Sequence, residues 1–78
     1  MFGKIQHINL NILIISQYFW PENFRINQLS AALQKKGNKV TVLTGLPNYP
    51  EGKIYEAYTK CPQNYNNYEG VDIIRAPL

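Results

Sequence analysis

The chain has 78 residues, of which 45% are hydrophobic and 17% are charged. This balance excludes an intrinsically disordered protein and predicts a folded core, with the marginal stability expected of so short a chain. The net charge of +3 is spread along the sequence and comes without an RNA-binding motif. A nucleic-acid-binding module, which the charge and the six tyrosines could suggest, is therefore disfavoured.

The cysteine content and the basic residues set further bounds. Because Cys61 is the only cysteine, an intrachain disulfide and a cysteine-based metal site are excluded, and a reducing compartment is expected. The tightest basic group is Lys35, Lys36 and Lys39. It is interpreted either as a solvated helix end or as a surface for an anionic membrane or a phosphate-bearing ligand.

The amino-terminal residues, MFGKIQHINL, precede an apolar run and have some features of a signal peptide. Asn9 and Asn11 interrupt the apolar character, no small-residue cleavage site follows, and the run falls short of the ~18 to 20 apolar residues of a membrane span. We expect a soluble cytoplasmic protein in which residues 1–10 form a loose extension. His7 lies there without a partner carboxylate, so no catalytic role is predicted for it.

The first predicted element is a strand at Ile12–Ile15, an unbroken apolar run rich in β-branched side chains. An amphipathic helix follows over Phe24–Lys36, because Ile26, Leu29 and Leu33 recur at the spacing of one helix face. Ala32 lies beside these residues. The pattern predicts that this face of the helix packs on the sheet.

The sequence contains signals for both ends of this helix. Pro21 suits a first-turn position, Asn23 is a candidate cap, and Glu22 lies near the positive end of the helix dipole. Two lysines occupy the last turn, and Gly37 follows as a residue that readily adopts the left-handed conformation of a helix terminator. The helix is therefore expected to begin and end within these limits.

A second strand is predicted at Lys39–Thr44, and its closeness to the helix predicts a right-handed parallel crossover. Glycine, proline and asparagine are so frequent between Thr44 and Tyr58 that a long loop is expected, without regular structure until at least Lys53. A short strand at Tyr65–Glu69 is a weaker candidate. It leads through a turn into a third clear strand at Val71–Ala76.

The order β-α-β-loop-β predicts an α/β fold, the opening part of a Rossmann-like parallel sheet over residues 11–78. Continuous apolar strands require helices on both faces, but only one clear helix is predicted, so one face is left bare. A face of three strands covers on the order of 250 Å². Its missing cover is worth around 6 kcal/mol, comparable to the stability of a typical domain. We therefore expect these residues to belong to a longer domain.

Ligands of parallel α/β sheets bind at the carboxyl ends of the strands, where the loops after the first two strands emerge. The first loop, Gln17–Asn23, lacks the G-x-G-x-x-G pattern, which argues against a dinucleotide-dependent dehydrogenase. It still leads into a helix amino terminus, whose free N–H groups favour an anion. The position therefore indicates a ligand site without defining its ligand.

Three adjacent aromatic residues, Tyr18, Phe19 and Trp20, precede Pro21 in this loop. Since they cannot all face one core, at least one is expected to be exposed. They either staple the start of the helix or present a platform for a sugar ring or a lipid headgroup. Arg25 either binds a phosphate through two hydrogen bonds or is a plain surface arginine.

The second loop, TGLPNYPEGK, combines glycines and prolines with Asn48 and Tyr49, which offer amide and hydroxyl hydrogen bonds. It is interpreted either as a binding loop or as a structural series of turns. The sequence contains no Cys/His triad, no paired metal ligands and no P-loop lysine motif. Catalysis is therefore not predicted from motifs alone.

Two segments, QYFWPENFRIN and LTGLPNYPEGK, together with the closing YEGVDIIRAPL, resemble the amino terminus of bacterial family 4 glycosyltransferases. The similarity is greatest to the fucosyl- and N-acetylfucosaminyl-transferases that build O-antigen, capsule or colanic-acid polysaccharide. It covers residues 11–78, although a stretch such as KKGNKVTVLT alone would mark only the broader superfamily. Members commonly begin near the equivalent of Ile12, so residues 1–10 look like an extension or an upstream start.

The resemblance implies a GT-B enzyme with two Rossmann-like domains and an active site between them. Such enzymes transfer a sugar from a nucleotide sugar to a growing glycan with retention of configuration, usually without a metal, so no cofactor is expected. The acceptor, often carried on a polyprenyl diphosphate, would meet this domain at the inner face of the plasma membrane, where peripheral membrane contact is expected. By position, the acceptor-binding residues would be Trp20, Glu22, Asn23, Arg25, Asn48 and Tyr49.

The family's donor site and active-site histidine belong to parts outside this sequence, so no catalytic residue is assigned. We therefore expect a fragment that contributes the acceptor side and is inactive alone. The alternative is a non-catalytic binding module for a glycan, a lipid carrier or a separately encoded second half.

Overall fold

The computed structural model describes residues 9–48 and 52–77. His7 and Tyr49, both considered above, lie outside the described residues, as does most of the proposed extension. The described part is a small α/β domain with a mixed sheet and two α-helices. Its elements are β1 (Asn11–Ser16), α1 (Arg25–Lys35), β2 (Lys39–Thr44), α2 (Glu56–Lys60), a 3₁₀ helix (Pro62–Tyr65), β3 (Asn67–Tyr68) and β4 (Val71–Arg75).

The three predicted strands are confirmed, and β2 has the predicted limits. The region before β4 differs from the prediction. α2, which was not predicted, begins at Glu56, beyond the Lys53 limit given for the loop, and the 3₁₀ helix at Pro62–Tyr65 occupies the start of the predicted short strand. Only Asn67–Tyr68 remains as β3.

The sheet has the order β1-β2-β4-β3. β1, β2 and β4 are parallel, with Ile14 opposite Val42 and Val42 opposite Ile73. β3 is antiparallel to β4 across a tight turn in which Glu69 and Gly70 have φ values of 49° and 90°. Positive φ at both central residues is typical of hairpin turns. The expected parallel sheet is therefore mixed, because this hairpin adds an antiparallel strand.

One face of the sheet carries the core. The alternate residues Val40, Val42 and Ile73 are at most 6% exposed, and α1 packs over them. Phe19 from the first loop is fully buried in the same cluster. The first loop therefore contributes to the core as well as connecting two elements.

α1 buries a different stripe from the predicted one. Asn27, Ser30 and Ala31 are buried, whereas Leu29 is 54% exposed. The small side chains of this stripe permit close packing of the helix on the sheet, and Ser30 Oγ donates to the Asn27 carbonyl oxygen at 2.7 Å. Ile26 and Leu33 flank the stripe and remain partly buried against the core.

The start of α1 also differs from the prediction, whereas its end agrees. Phe24 is the N-cap, and no side chain forms a capping hydrogen bond, so the assignment of Asn23 as the cap is wrong. Pro21 and Glu22 precede the helix instead of occupying its first turn. At the other end, Gly37 has a φ of 96°, as expected of a left-handed terminator.

The opposite face of the sheet is bare, as predicted, because no helix among the described residues packs over it. Leu13, Ile15 and Ile74 on this face are 61%, 67% and 55% exposed. The strand register aligns Ile15, Leu43 and Ile74 in one apolar row. At the other end of the same face Lys39 and Asp72 form an ion pair between β2 and β4.

Among the residues that the structure describes, none of the helices combines the length and apolar character of a membrane span. α1, with 11 residues, is the longer of the two α-helices.

Candidate functional site

The carboxyl ends of the parallel strands lie side by side, where ligands of such sheets bind. Hydrogen bonds extend the sheet into the connecting loops: Gly45 N donates to the Gln17 carbonyl oxygen at 3.2 Å, and Ala76 N donates to the Thr44 carbonyl oxygen at 2.9 Å. The loops that leave β1, β2 and β4 are therefore held together at one edge of the sheet.

These loops enclose a cavity of about 240 Å³, here called the edge cleft. Two of its lining residues, Gln17 and Asn48, carry amide side chains that can donate and accept hydrogen bonds. The lining residues are Gln17, Gly45, Leu46, Asn48, Gly52, Ile54 and Pro77. Both predicted ligand loops therefore contribute to the same cleft.

Backbone hydrogen bonds hold the second loop beside this cleft. Gly52 N donates to the Asn48 carbonyl oxygen at 2.6 Å, and Tyr55 N donates to the Pro47 carbonyl oxygen at 2.9 Å. Pro47 is fully buried. The described parts of the loop, residues 44–48 and 52–55, are therefore joined to one another by hydrogen bonds.

Glu22 joins the first loop to the second. Its side chain is buried, and its oxygens accept hydrogen bonds from Phe19 N at 3.3 Å and from Asn48 N at 3.1 Å. Its own carbonyl oxygen accepts from Asn27 Nδ2 at 2.7 Å. The Glu22 carboxylate, assigned by position to the acceptor side, thus binds backbone amides of the two loops.

The ring of Trp20 packs inside an aromatic cluster. Its centroid lies 5.3 Å from that of Tyr65 and 5.5 Å from that of Tyr68. Tyr18 points elsewhere and stacks on Phe24 at 5.4 Å, with 13° between the ring planes. The Trp20 ring is therefore in contact with the rings of two tyrosines.

The expectation that one of the three adjacent aromatic residues is exposed is wrong. Phe19 is fully buried, and Tyr18 and Trp20 are half-buried. The expectation assumed a single core, but the three rings divide between the core under the sheet, the tyrosines of the β3 region and the Tyr18–Phe24 stack.

A second cavity of about 330 Å³, here called the helix cleft, lies where the first loop meets α1. The stacked rings of Tyr18 and Phe24 line it, and so does Arg25, the exposed first residue of α1. Gln17 lines both cavities. The edge cleft and the helix cleft are therefore neighbours along the carboxyl edge of the sheet.

Arg75 at the end of β4 connects three segments that are distant in sequence. Nη1 donates to the Gly45 carbonyl oxygen at 3.1 Å, Nη2 donates to the Trp20 carbonyl oxygen, and Nε donates to the Tyr65 carbonyl oxygen at 3.3 Å. Arg75 therefore holds the first loop, the second loop and the 3₁₀ helix around one guanidinium group.

The predicted acceptor-side residues thus occupy different places. Asn48 lines the edge cleft and Arg25 lines the helix cleft, while Asn23 is exposed between the first loop and α1. Trp20 and Glu22 have internal contacts and line neither cleft. Tyr49 lies outside the described residues.

Sequence reasoning missed Gln17 and Arg75. A signal for Gln17 was available, since it is the first residue after β1 and therefore stands at the ligand edge. Arg75 had a similar signal as the last residue of β4. Its bonding to three carbonyl groups depends on the tertiary structure, which the sequence pattern does not show.

The described residues supply both clefts with polar and apolar side chains. None of the described residues that line them is a carboxylate, an imidazole or a thiol. They offer amide groups, a guanidinium and a pair of stacked rings, which suit a hydroxylated ring bearing an anionic group. Among the described residues, no group of three His, Cys, Asp or Glu side chains is placed to hold a metal ion.

No family model, curated protein or solved structure matches this chain. The assignment of a function therefore rests on the chain's own residues and on their geometry.

Proposed function

We propose that this chain is the acceptor-side segment of a retaining glycosyltransferase of the GT-B class. In the full enzyme a sugar would pass from a nucleotide sugar to a glycan on a polyprenyl diphosphate carrier, at the cytoplasmic face of the plasma membrane. The resemblance to bacterial family 4 points further, to fucosyl- or N-acetylfucosaminyl-transferases of surface polysaccharide synthesis. The segment alone binds and does not catalyse transfer.

One observation carries this proposal: the two segments with the most distinctive resemblance meet at the carboxyl edge of the sheet, where they line two neighbouring clefts. QYFWPENFRIN supplies Gln17 and Arg25, and LTGLPNYPEGK supplies Gly45 and Asn48. The buried carboxylate of Glu22 joins the two segments through its hydrogen bond from Asn48 N. Residues that are separate in sequence therefore form one binding edge, as a shared ligand requires.

The sheet supports the same proposal. The parallel strands follow the order β1-β2-β4, which corresponds to the first half of a doubly wound sheet with β1 at its centre. Among the described strands β1 pairs with β2 alone, so its second edge is open. The open edge and the bare face are both places where further strands and helices of a Rossmann-like domain would pack.

The first test is activity. The purified chain, incubated with nucleotide sugars and a polyprenyl-diphosphate-linked acceptor, is expected to give no transferred product. Nucleotide-sugar titrations followed by calorimetry are expected to give no binding heat, because the donor site belongs to the second domain. Turnover by the chain alone would contradict the assignment of an acceptor-side segment.

The second test locates the acceptor. Residues 11–78 replace the corresponding segment of a characterised family 4 transferase, and the chimera is expected to retain transfer. Asn48→Ala and Gln17→Ala should raise the KM for the acceptor about three- to tenfold, the loss of one hydrogen bond, with little change in the KM for the donor. Gln28→Ala, on the exposed part of α1, is the matched control.

A binding module without a transferase role is the alternative, and the bare face favours it, since that face could receive a separately encoded partner. The two functions predict different results for the chimera. An inactive but folded chimera, together with glycan binding by the chain that depends on Asn48, would favour the binding module.

A further inference from the structure

The edge cleft contains two side-chain amides whose backbones are fixed by the fold. The Gln17 carbonyl oxygen accepts a hydrogen bond from Gly45 N at 3.2 Å. Asn48 N donates to the Glu22 carboxylate at 3.1 Å, and the Asn48 carbonyl oxygen accepts from Gly52 N at 2.6 Å. The side-chain amides of Gln17 and Asn48, by contrast, form no hydrogen bond with any of the described residues. Both amides are therefore available to donate to and accept from a ligand.

The rest of the described lining of the edge cleft is aliphatic. Leu46, Ile54 and Pro77 supply apolar surface beside the two amides. Ile54 is 45% exposed, so a ligand in the cleft can cover it. A sugar ring combines an apolar C–H face with a rim of hydroxyl groups, which donate and accept hydrogen bonds. The edge cleft offers a partner for each of these surfaces.

The charged side chains beside the edge cleft are bonded to its backbone and do not line it. Arg75 Nη1 donates to the Gly45 carbonyl oxygen at 3.1 Å, and the Glu22 carboxylate accepts from Asn48 N. Lys53 is exposed, and none of the described lining residues carries a charge. A carboxylate that entered the cleft would lose water without gaining a cation from this lining, and such a transfer is unfavourable.

The size of the edge cleft limits the ligand to one ring. Pockets for drug-sized molecules begin at roughly 300 Å³, and the edge cleft has a volume of about 240 Å³. A single sugar residue is therefore a better fit than a longer part of a glycan.

We propose that the edge cleft receives one neutral sugar ring, the terminal residue of the acceptor glycan, and discriminates against uronic acids and other acidic sugars. The ring's hydroxyl groups bond to the amides of Gln17 and Asn48, while its C–H face packs on the aliphatic side chains. This inference rests on the proposed function, which supplies an acceptor glycan, and it adds the class of sugar at the end of that acceptor.

The test is a titration of the full ¹⁵N-labelled chain at low temperature and constant ionic strength, followed by amide spectra. The probes are the methyl glycosides of glucose and galactose, those of glucuronic and galacturonic acid, and cyclohexanol. Each neutral sugar differs from its uronic acid only in a CH₂OH group that is replaced by a carboxylate. We expect at least one neutral glycoside to give saturable shifts of the Gln17 and Asn48 side-chain amides, while the Gln28 amide on α1 stays unshifted.

The matched uronic acid should bind at least about threefold more weakly than its neutral partner. Equal binding within the pairs would overturn the inference, since the cleft would not discriminate by charge. Equal binding of cyclohexanol would also overturn it, because the hydroxyl rim would then contribute nothing. Shifts that do not saturate, or a spectrum without amide dispersion at the highest glycoside concentration, would overturn it as well, because a ligand that binds the folded chain stabilises it.

A matched pair of variants localises the discrimination. Ile54→Lys places a cation in the lining and should raise the affinity for the uronic acid, relative to its neutral partner, about three- to tenfold. Leu29→Lys adds the same charge at an exposed apolar position of α1, outside the edge cleft, and should leave this ratio within about twofold. Equal ratios in the two variants would contradict the proposed location.

The inference and the proposed function fail in different ways. If the chimera described above is active but the chain binds neutral and acidic sugars equally, the inference is wrong and the acceptor-side function stands. If the chain prefers the neutral glycoside but the chimera is folded and inactive, the transferase function is wrong, and the edge cleft is a neutral-sugar site of a binding module.

Discussion

The two faces of the sheet are built from the same strands but have different roles. The covered face holds the core residues Val42 and Ile73 as well as Arg75, which gathers the loops of the carboxyl edge. The bare face presents Ile15 and Ile74, both more than half exposed. The contacts that hold the loops of the carboxyl edge therefore come from one face, while the other face exposes apolar side chains.

The largest difference between the faces should appear at Ile73 and Ile74, which are adjacent and of the same residue type. Ile73 is 6% exposed and Ile74 is 55% exposed. Ile73→Ala should lower the free energy of unfolding by about 3 kcal/mol, because it removes buried methyl groups and leaves a cavity. Ile74→Ala should change it by less than about 0.5 kcal/mol.

Urea denaturation of both variants measures this contrast. If Ile74→Ala costs as much as Ile73→Ala, the second face is covered in solution, for example by self-association. Sedimentation at several protein concentrations would then show whether a second copy supplies the cover.

The second contrast concerns the arginines Arg75 and Arg25. Arg75→Met should lower the free energy of unfolding by about 2 kcal/mol, since the carbonyl groups of three segments lose their donors. Arg25→Met, at an exposed site, should change it by less than about 0.5 kcal/mol. Denaturation curves of the two variants in the same buffer provide the measurement. Equal losses of stability would contradict the conclusion that Arg75 holds the three segments together.

The loops of the carboxyl edge offer a third contrast, between Glu22 and Glu69. In Glu22→Gln one carboxylate oxygen is replaced by an amide that faces a backbone N–H, so a cost of about 1.5 kcal/mol is expected. Glu69→Gln, in the exposed hairpin turn, should cost less than about 0.5 kcal/mol. Amide exchange of Asn48 and Phe19 should accelerate in Glu22→Gln alone; unchanged exchange would show that Glu22 does not hold the loops.

The strands could be predicted because their signals are local. The segment KVTVLT is β-branched and follows Gly37 closely, and β2 has the predicted limits. The bare face followed from the same pattern, since only one long helix was expected beside strands that are apolar on both sides. Such features depend on residues that are neighbours in sequence.

The buried stripe of α1 and the organisation of the site could not be predicted in the same way. Hydrophobic spacing favoured Leu29, yet Ser30 and Ala31 face the sheet, because small side chains suit the close approach of helix and strands. The hydrogen bond from Arg75 to the Trp20 carbonyl oxygen spans 55 residues, and no local pattern indicates it. Tertiary contacts decide both features.

The smallest expected effect belongs to the ion pair on the bare face. The hydrogen bond from Lys39 and its positive charge lower the pKa of Asp72 from its ordinary value of 3.8. A carboxylate with a lowered folded-state pKa contributes stability above its unfolded-state value and loses that contribution as the pH falls through the folded-state value. Both side chains are about half exposed, so solvent screening limits the contribution to about 0.5 kcal/mol.

Asp72→Asn should therefore lower the free energy of unfolding by about 0.5 kcal/mol at pH 7, and the difference from the unchanged chain should be lost as the pH falls through the lowered folded-state pKa of Asp72. Glu56→Gln, in the more exposed pair with Lys60, is the matched control and should have a smaller effect. Denaturation at a series of pH values gives both differences. A cost several times larger at Asp72 would mean that the pair is shielded from water, and hence that the bare face is covered when the protein is in solution.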